Sequence, residues 1–271
     1  MTDVSAGDYS LVGRLGVTAR SSADAFVLEL APSDAVRRHG LIRASVLSFL
    51  VDAVAGIIVD DERELWTFTS DMSVRIRPEE VTGSVEAVGT VLRRGRRSSV
   101  CRVELATTPG GTAVGTGAIG FAKVPRRDGD PPKPPVTPSR FASLFGGKAV
   151  IGRPLRDEAG IQVLDAEEGV VELTVTRELR NPAGTLQGAM VALVAEAAAE
   201  ELVSARFGVP AVVTDLDLRY LAQAQVGPVR TRCRLLGSAP DATVEIELVD
   251  TSVNRVTTLV YARCCEAPRR V

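Results

Sequence analysis

Two stretches of this chain are copies of one another, and both pose the same physical problem. Residues 40–56 and 184–200 each open on a glycine and run on for about three helical turns of mostly apolar side chains. One carboxylate interrupts each run at the same place, Asp52 in the first and Glu196 in the second. The offset is the same for the glycines (184 − 40 = 144) and for the acids (196 − 52 = 144). A charge inside an apolar helix is costly to bury without a partner. The chain therefore has to fold so that two such helices are covered and two such acids are used.

The 144-residue offset extends well beyond the helices. It relates Gly160 to Gly16 ahead of them, Asp215 to Asp71 in the strand that follows, and Gly227 to Gly83 after that. A nearly constant spacing over most of each half marks tandem copies of one fold. Between the copies, residues 124–140 carry six prolines, which preclude a helix or a central strand and predict a semi-rigid linker. The expected organisation is residues 1–124 as one domain, 125–145 as linker and 146–271 as the second domain. Residues up to about Gly13 read as a lead-in.

Within a copy the pattern is a strand, a buried helix and an antiparallel meander. Phe26, Leu28 and Leu30 alternate in the first strand, the helix is expected from about Ile42 to Val59, and three strands follow from Leu65, Gly83 and Ser98, with a last one from Ala113 to Ala122. A helix apolar nearly all round is buried or membrane-bound. These runs are short for a bilayer span and contain an acid and small polar residues, so a membrane role is not expected. The fold class is α+β: two tandem units, each a long central helix wrapped by an antiparallel sheet, paired as a pseudo-dimer about a quasi-two-fold axis. Edge strands and exposed helix faces leave room for a homodimer of pseudo-dimers.

The bulk numbers exclude several functions. Lys plus Arg is 32 against 34 Asp plus Glu, with no basic excess of the kind a nucleic-acid binder needs. Residues 1–8 lack a basic segment followed by an apolar one, and the expected compartment is the cytoplasm. The four cysteines show no Cys-x-x-Cys spacing, which argues against a zinc site or a disulfide framework. A single histidine, His39, leaves little room for a triad or a histidine metal site. No metal and no separate cofactor is expected.

The residues from Asn181 to Glu196 resemble the signature of hotdog-fold acyl-CoA thioesterases of the phenylacetate-pathway (PaaI-like) group. That signature is an asparagine, a short turn, His-Gly-Gly, and an acid nine positions after the histidine. Here Asn181 takes the asparagine position, Gln187, Gly188 and Ala189 stand for His-Gly-Gly, and Glu196 is the acid. In the first copy Arg43, Ala44 and Ser45 stand for His-Gly-Gly, Asp52 is the acid, and the asparagine position falls on Arg37. Thr69 to Val74 matches the family's Ser/Thr-x-Asp pattern after the helix. The motif histidine is replaced in both copies, and His39 lies 52 − 39 = 13 residues before Asp52, which is the wrong spacing and reads as a turn histidine.

Nine helical residues span about half a turn beyond whole turns and about 13.5 Å of rise, so Gln187 and Glu196 do not serve one small site. In the family, the acid of one subunit works with the helix N-terminus of the other. The resemblance then implies two crossed sites in this chain. The first combines Asn181, Gln187 and Gly188 with Asp52 and Thr69 or Ser70; the second combines Arg37, Arg43 and Ala44 with Glu196 and Val213 or Thr214. One working site, the first, and one degenerate site are expected. In the working site the helix N–H groups would polarise a thioester carbonyl, Asp52 would activate water or attack as nucleophile, Thr69 or Ser70 would position the water, and Asn181 would orient the loop or add a donor. The arginines Arg93, Arg94, Arg96 and Arg97 either hold the phosphates of coenzyme A, present as part of the substrate, or form a solvated hairpin tip. The implied substrate is an acyl-CoA or an acyl-carrier protein. A non-catalytic acyl-CoA binding or sensing protein is the main alternative, and a hotdog hydratase or dehydratase the second.

Overall fold

In the computed structural model the described residues are 10–21, 26–60, 64–129, 133, 137 and 149–268. The first half contains β1 (Val17–Ser21), β2 (Phe26–Leu30), a short hairpin of β3 (Arg37–Arg38) and β4 (Leu41–Ile42), helix α1 (Ala44–Val59), and the meander β5 (Leu65–Ile76), β6 (Ser84–Arg94), β7 (Ser98–Thr108) and β8 (Ala113–Pro125). The second half contains a one-turn helix α2 (Leu155–Ala159), β9 (Gln162–Asp165), β10 (Val170–Leu173), helix α3 (Gly188–Phe207), β11 (Ala211–Tyr220), β12 (Val229–Leu236), β13 (Thr243–Asp250) and β14 (Arg255–Glu266). Twelve strands form one antiparallel sheet in the order β1-β2-β6-β7-β8-β5-β11-β14-β13-β12-β10-β9. The expected tandem architecture is the one observed.

The sheet wraps the helices because the strands alternate. Val85 and Ala87 of β6, Cys101, Val103 and Leu105 of β7, and Met72 and Val74 of β5 are buried. They pack on α1, whose side chains from Ala44 to Val51 are all buried. Helix α3 is covered in the same way by β10 to β14, and the two helices touch each other. The β8 glycines permit close approach: a Cβ on Gly117 would lie 2.7 Å from both methyls of Val51.

The two halves meet where β5 pairs with β11, and the register locates the quasi-two-fold axis. Asp217 lies opposite Ser73, and 217 − 73 = 144, so each is the other's counterpart in the repeat. Asp217 accepts a hydrogen bond from Ser73 and another from Arg75 at 2.8 Å. The repeat reaches into fine detail. Both β5 and β11 carry a β-bulge, between Thr69 and Asp71 and between Val213 and Asp215. In each bulge the extra residue, Ser70 or Thr214, donates to the next aspartate at 2.8 Å.

Several boundaries differ from those expected. Helix α1 starts at Ala44 because β3 and β4 form a tight hairpin ahead of it, turning at His39 and Gly40, which both have positive φ. His39 is thus a turn residue, as its spacing implied. Leu11–Arg14 is a 3-10 turn that buries Leu11, so the lead-in contributes to the core. Strand β8 runs on to Pro125, which pairs with Leu65. Most of the proline-rich linker lies outside the described residues. Among the described residues no helix is long and apolar enough to cross a membrane.

Filling the space over Gly117 should cost stability without altering topology. Gly117→Val is expected to lower the urea-unfolding free energy by about 1–3 kcal/mol through overpacking against Val51, as read from the denaturation midpoint.

Candidate active site

The β5 bulge positions the first acid's partner. An extra residue at Ser70 re-aims its neighbours, and the Thr69 hydroxyl donates to Asp52 Oδ1 at 2.6 Å. Asp52 sits mid-way along α1 and lines a cavity of about 760 Å³, within the size range of small-molecule sites. Burial pushes its carboxyl above the usual range, and the Thr69 hydrogen bond opposes that only in part. Ser70 also lines the cavity, but its hydroxyl is turned to Asp71. Of the two expected hydroxyls it is therefore Thr69 that meets the acid.

The opposite wall comes from the other half. Asn181 Oδ1 accepts from the N–H groups of Ala183 and Thr185, at 3.0 and 3.1 Å, and so folds the loop leading to α3. Gln187 is the N-cap of α3, and its side-chain oxygen accepts from the Ala189 N–H. Gly188 is the first helical residue and has no intrahelical acceptor. Among the described residues no other oxygen accepts from its N–H. A Cβ built on Gly188 would lie 3.4 Å from Asp52 Oδ2 and 3.3 Å from Tyr220 Oη. Asn181, Gln187, Gly188, Asp52, Thr69 and Ser70 all line the one cavity, so the crossing of the two halves brings these six together.

Around them the wall is aromatic and apolar, with Phe49, Trp66, Phe68 and Phe121. Trp66 and Phe68 stack with centroids 5.8 Å apart. Cavity-lining cations are Lys133, Arg177 and Arg180, none of which the sequence reading singled out. None of Arg93, Arg94, Arg96 and Arg97 lines it. Arg94 donates to the Ile58 carbonyl at 2.7 Å, near the C-terminus of α1, and Arg93 donates to Ser98 at 3.2 Å. Tyr220 at the end of β11 was also missed. The one signal for it was a phenol standing where the other copy has Ile76 (220 − 144 = 76).

The second crossing is closed. Glu196 Oε1 accepts from the Ala44 N–H at 2.7 Å, and its Oε2 accepts from Ser45 at 2.6 Å. The acid itself thus occupies the helix N-terminus that a substrate carbonyl would need. Arg43 reaches Glu200 at 3.3 Å and Glu196 at 3.5 Å, and Arg38 reaches Glu200 at 2.9 Å. Burial would push the Arg43 guanidinium down, but the charges of Glu200 and Glu196 outweigh it and raise it. Burial raises Glu200 to about 7 against the pull of Arg43. The remaining void is about 10 Å³, room for about one water. Arg37 is elsewhere, donating to Gly40 and Val81 carbonyls. Val213, at the position of Thr69, offers Glu196 no hydroxyl.

Side-chain length separates the two sites. Asp52 and Glu196 are counterparts, as are Gly188 and Ala44, and Gln187 and Arg43. Glu196 is one methylene longer and reaches the amide across the helix pair. Asp52 stops short, bonds to Thr69, and leaves the Gly188 N–H open. The raised carboxyl of Asp52 means that the fold favours its protonated form. Its stabilising effect is present below the unfolded value and is lost as pH rises through the folded one. Asp52→Asn is accordingly expected to raise Tm at neutral pH and to match the wild type below about pH 4, near the unperturbed aspartate value, in thermal melts across pH.

No protein-family model and no curated protein matches this sequence. Solved structures do. A proposed thioesterase from Novosphingobium aromaticivorans superposes with a TM-score of 0.62 at 17% identity, over 94% of this chain and 99% of that one. A 12:0-acyl-carrier-protein thioesterase from Umbellularia californica gives 0.61 at 11% identity, over 91% and 98%. A hotdog-fold protein of unknown function from Alicyclobacillus acidocaldarius gives 0.61 at 11% identity, over 96% and 98%. At such identities the likeness concerns the fold, and it extends over nearly the whole chain: two hotdog units in tandem, joined through one sheet.

Proposed function

We propose that this chain hydrolyses acyl thioesters of coenzyme A or of an acyl-carrier protein, in the manner of PaaI-like hotdog thioesterases, at the single site between Asp52 and the N-terminus of α3. The observation that carries the reading is that Gly188, whose N–H is open at a helix N-terminus, lies beside Asp52 of the other half on the wall of one cavity. Such an N–H, backed by the helix dipole, stabilises negative charge developing on a carbonyl oxygen. The missing side chain of Gly188 lets the thioester approach the backbone.

Asp52 then acts as general base. A water attacks the carbonyl carbon and gives its proton to Asp52. The tetrahedral intermediate collapses with cleavage of the C–S bond, and the proton passes on to the leaving thiolate, giving acid and thiol. Direct attack by Asp52 would give the same products through an anhydride. Thr69 fixes the carboxylate, Gln187 and Asn181 shape the helix N-terminus, and the cavity-lining Arg177 and Arg180 supply positive charge for the phosphates of the substrate. The thioesterase names borne by the structural neighbours from N. aromaticivorans and U. californica are in keeping with this chemistry.

Thiol release from acyl-CoAs running from acetyl to palmitoyl tests the reading. Asp52→Asn should lower kcat by about 10²–10⁴-fold, the usual worth of a general base, while Glu196→Gln keeps most of it. Because Asp52 must be ionised, kcat/KM should rise with pH through an acid limb above the ordinary carboxylate range. If no acyl chain is turned over and Asp52→Asn changes nothing, the chain is a binder and not an enzyme. Asp52→Glu is a sharper probe. The longer acid should cap Gly188 as Glu196 caps Ala44, abolishing hydrolysis while raising Tm.

A further inference from the structure

The open site has one donor that neither the repeat nor the motif assigns. Tyr220 ends β11 and lines the cavity. Its hydroxyl donates to the Gly188 carbonyl at 3.5 Å, a long contact that is easily exchanged for a better acceptor. The space over Gly188 is shared: a single atom there would sit 3.3 Å from Tyr220 Oη and 3.4 Å from Asp52 Oδ2. Several neighbouring polar atoms are already engaged. The Ala189 N–H is taken by Gln187, Asn181 Oδ1 by its own turn, and the Thr69 hydroxyl by Asp52.

We propose that Tyr220 is a catalytic residue of this site, its phenol O–H giving the substrate carbonyl oxygen a second hydrogen bond beside that of the Gly188 N–H. The inference rests on the thioesterase reading and extends it. A thioester seated over Gly188 would turn its carbonyl oxygen to Tyr220 and the helix N-terminus and its carbon to Asp52. Paired donors aimed at the developing oxyanion are a large source of rate in acyl transfer. Burial, and next the charge of Asp52, hold the phenol well above its ordinary range, so it stays a donor at every working pH. The copy at the closed site has Ile76 in this position, which lines the small void and can donate nothing. The phenol therefore occurs only where the helix N-terminus is open.

Steady-state hydrolysis by the wild type and Tyr220→Phe decides it, together with binding of two inert CoA analogues: a ketone, in which a methylene replaces the thioester sulfur, and an alkyl thioether with no carbonyl. Tyr220→Phe is expected to lower kcat by about 10²-fold, as loss of an oxyanion donor does, with Tm, KM and the acid limb unmoved. It should weaken the ketone by about 10-fold, the worth of one hydrogen bond of about 1.4 kcal/mol, and leave the thioether unchanged. Unchanged kcat with equal binding of both analogues overturns the proposal, as does equal weakening of both, which marks a packing role. If the wild type hydrolyses nothing, the thioesterase reading fails, and the ketone-to-thioether difference alone still decides whether Tyr220 meets the carbonyl.

Discussion

A carboxylate from one helix facing the N-terminal amides of another is the contact around which this molecule is built. The first amides of each helix lack an intrahelical partner, and a buried one needs another acceptor. At Ala44 the mid-helix acid of the other copy, Glu196, answers that need, whereas at Ala189 the Gln187 side chain does. Where the acid reaches the amide, as Glu196 does, both are satisfied and the crossing is closed. Where it stops short, as Asp52 does, the acid and the first residue of the facing helix lie side by side on the wall of a cavity. The same architecture thus gives a structural joint at one crossing and a candidate reaction centre at the other.

The joint is reinforced in a way that the open crossing is not. Arg43, Arg38, Glu196 and Glu200 form a buried network in which each charge has an opposite neighbour. Breaking such a network is costly, because the abandoned charge stays buried. The open crossing instead keeps a desolvated acid held by one threonine. That is a stability cost carried at the candidate site, the pattern expected where stability is traded for activity.

Much of this was legible in the sequence because a repeat converts one observation into two. The constant offset gave both helices, both acids, the meanders and the pairing of halves. The shared fate of Asn181, Gly188 and Asp52 followed from the nine-residue spacing together with the family resemblance. Closure of the second site was harder to see. The sequence shows Glu against Asp, but whether one methylene spans the gap depends on how closely two helices pack. The place of the arginine tip was hard to read for a related reason. Charge density is visible in a sequence, whereas the distance from a hairpin tip to a cavity is set by sheet curvature, and the cations that line the cavity are scattered at Lys133, Arg177 and Arg180. Tyr220 was hidden because a lone tyrosine at a strand end reads as ordinary packing until the helix N-terminus beneath it is known. The short α2 and the 3-10 turn at Leu11 carry too few residues for a periodic signal.

The pairing of Ser73 with Asp217 has a consequence for assembly. These residues are each other's counterparts and lie on the quasi-two-fold axis. Were like halves of two chains to meet along this strand, each would face a copy of itself. Asp217 would then oppose Asp217, and like charges directly across a ladder repel. Within one chain, serine meets aspartate and the bond forms. A single unlike pair at the centre of the sheet therefore selects the pairing of unlike halves over the pairing of like ones.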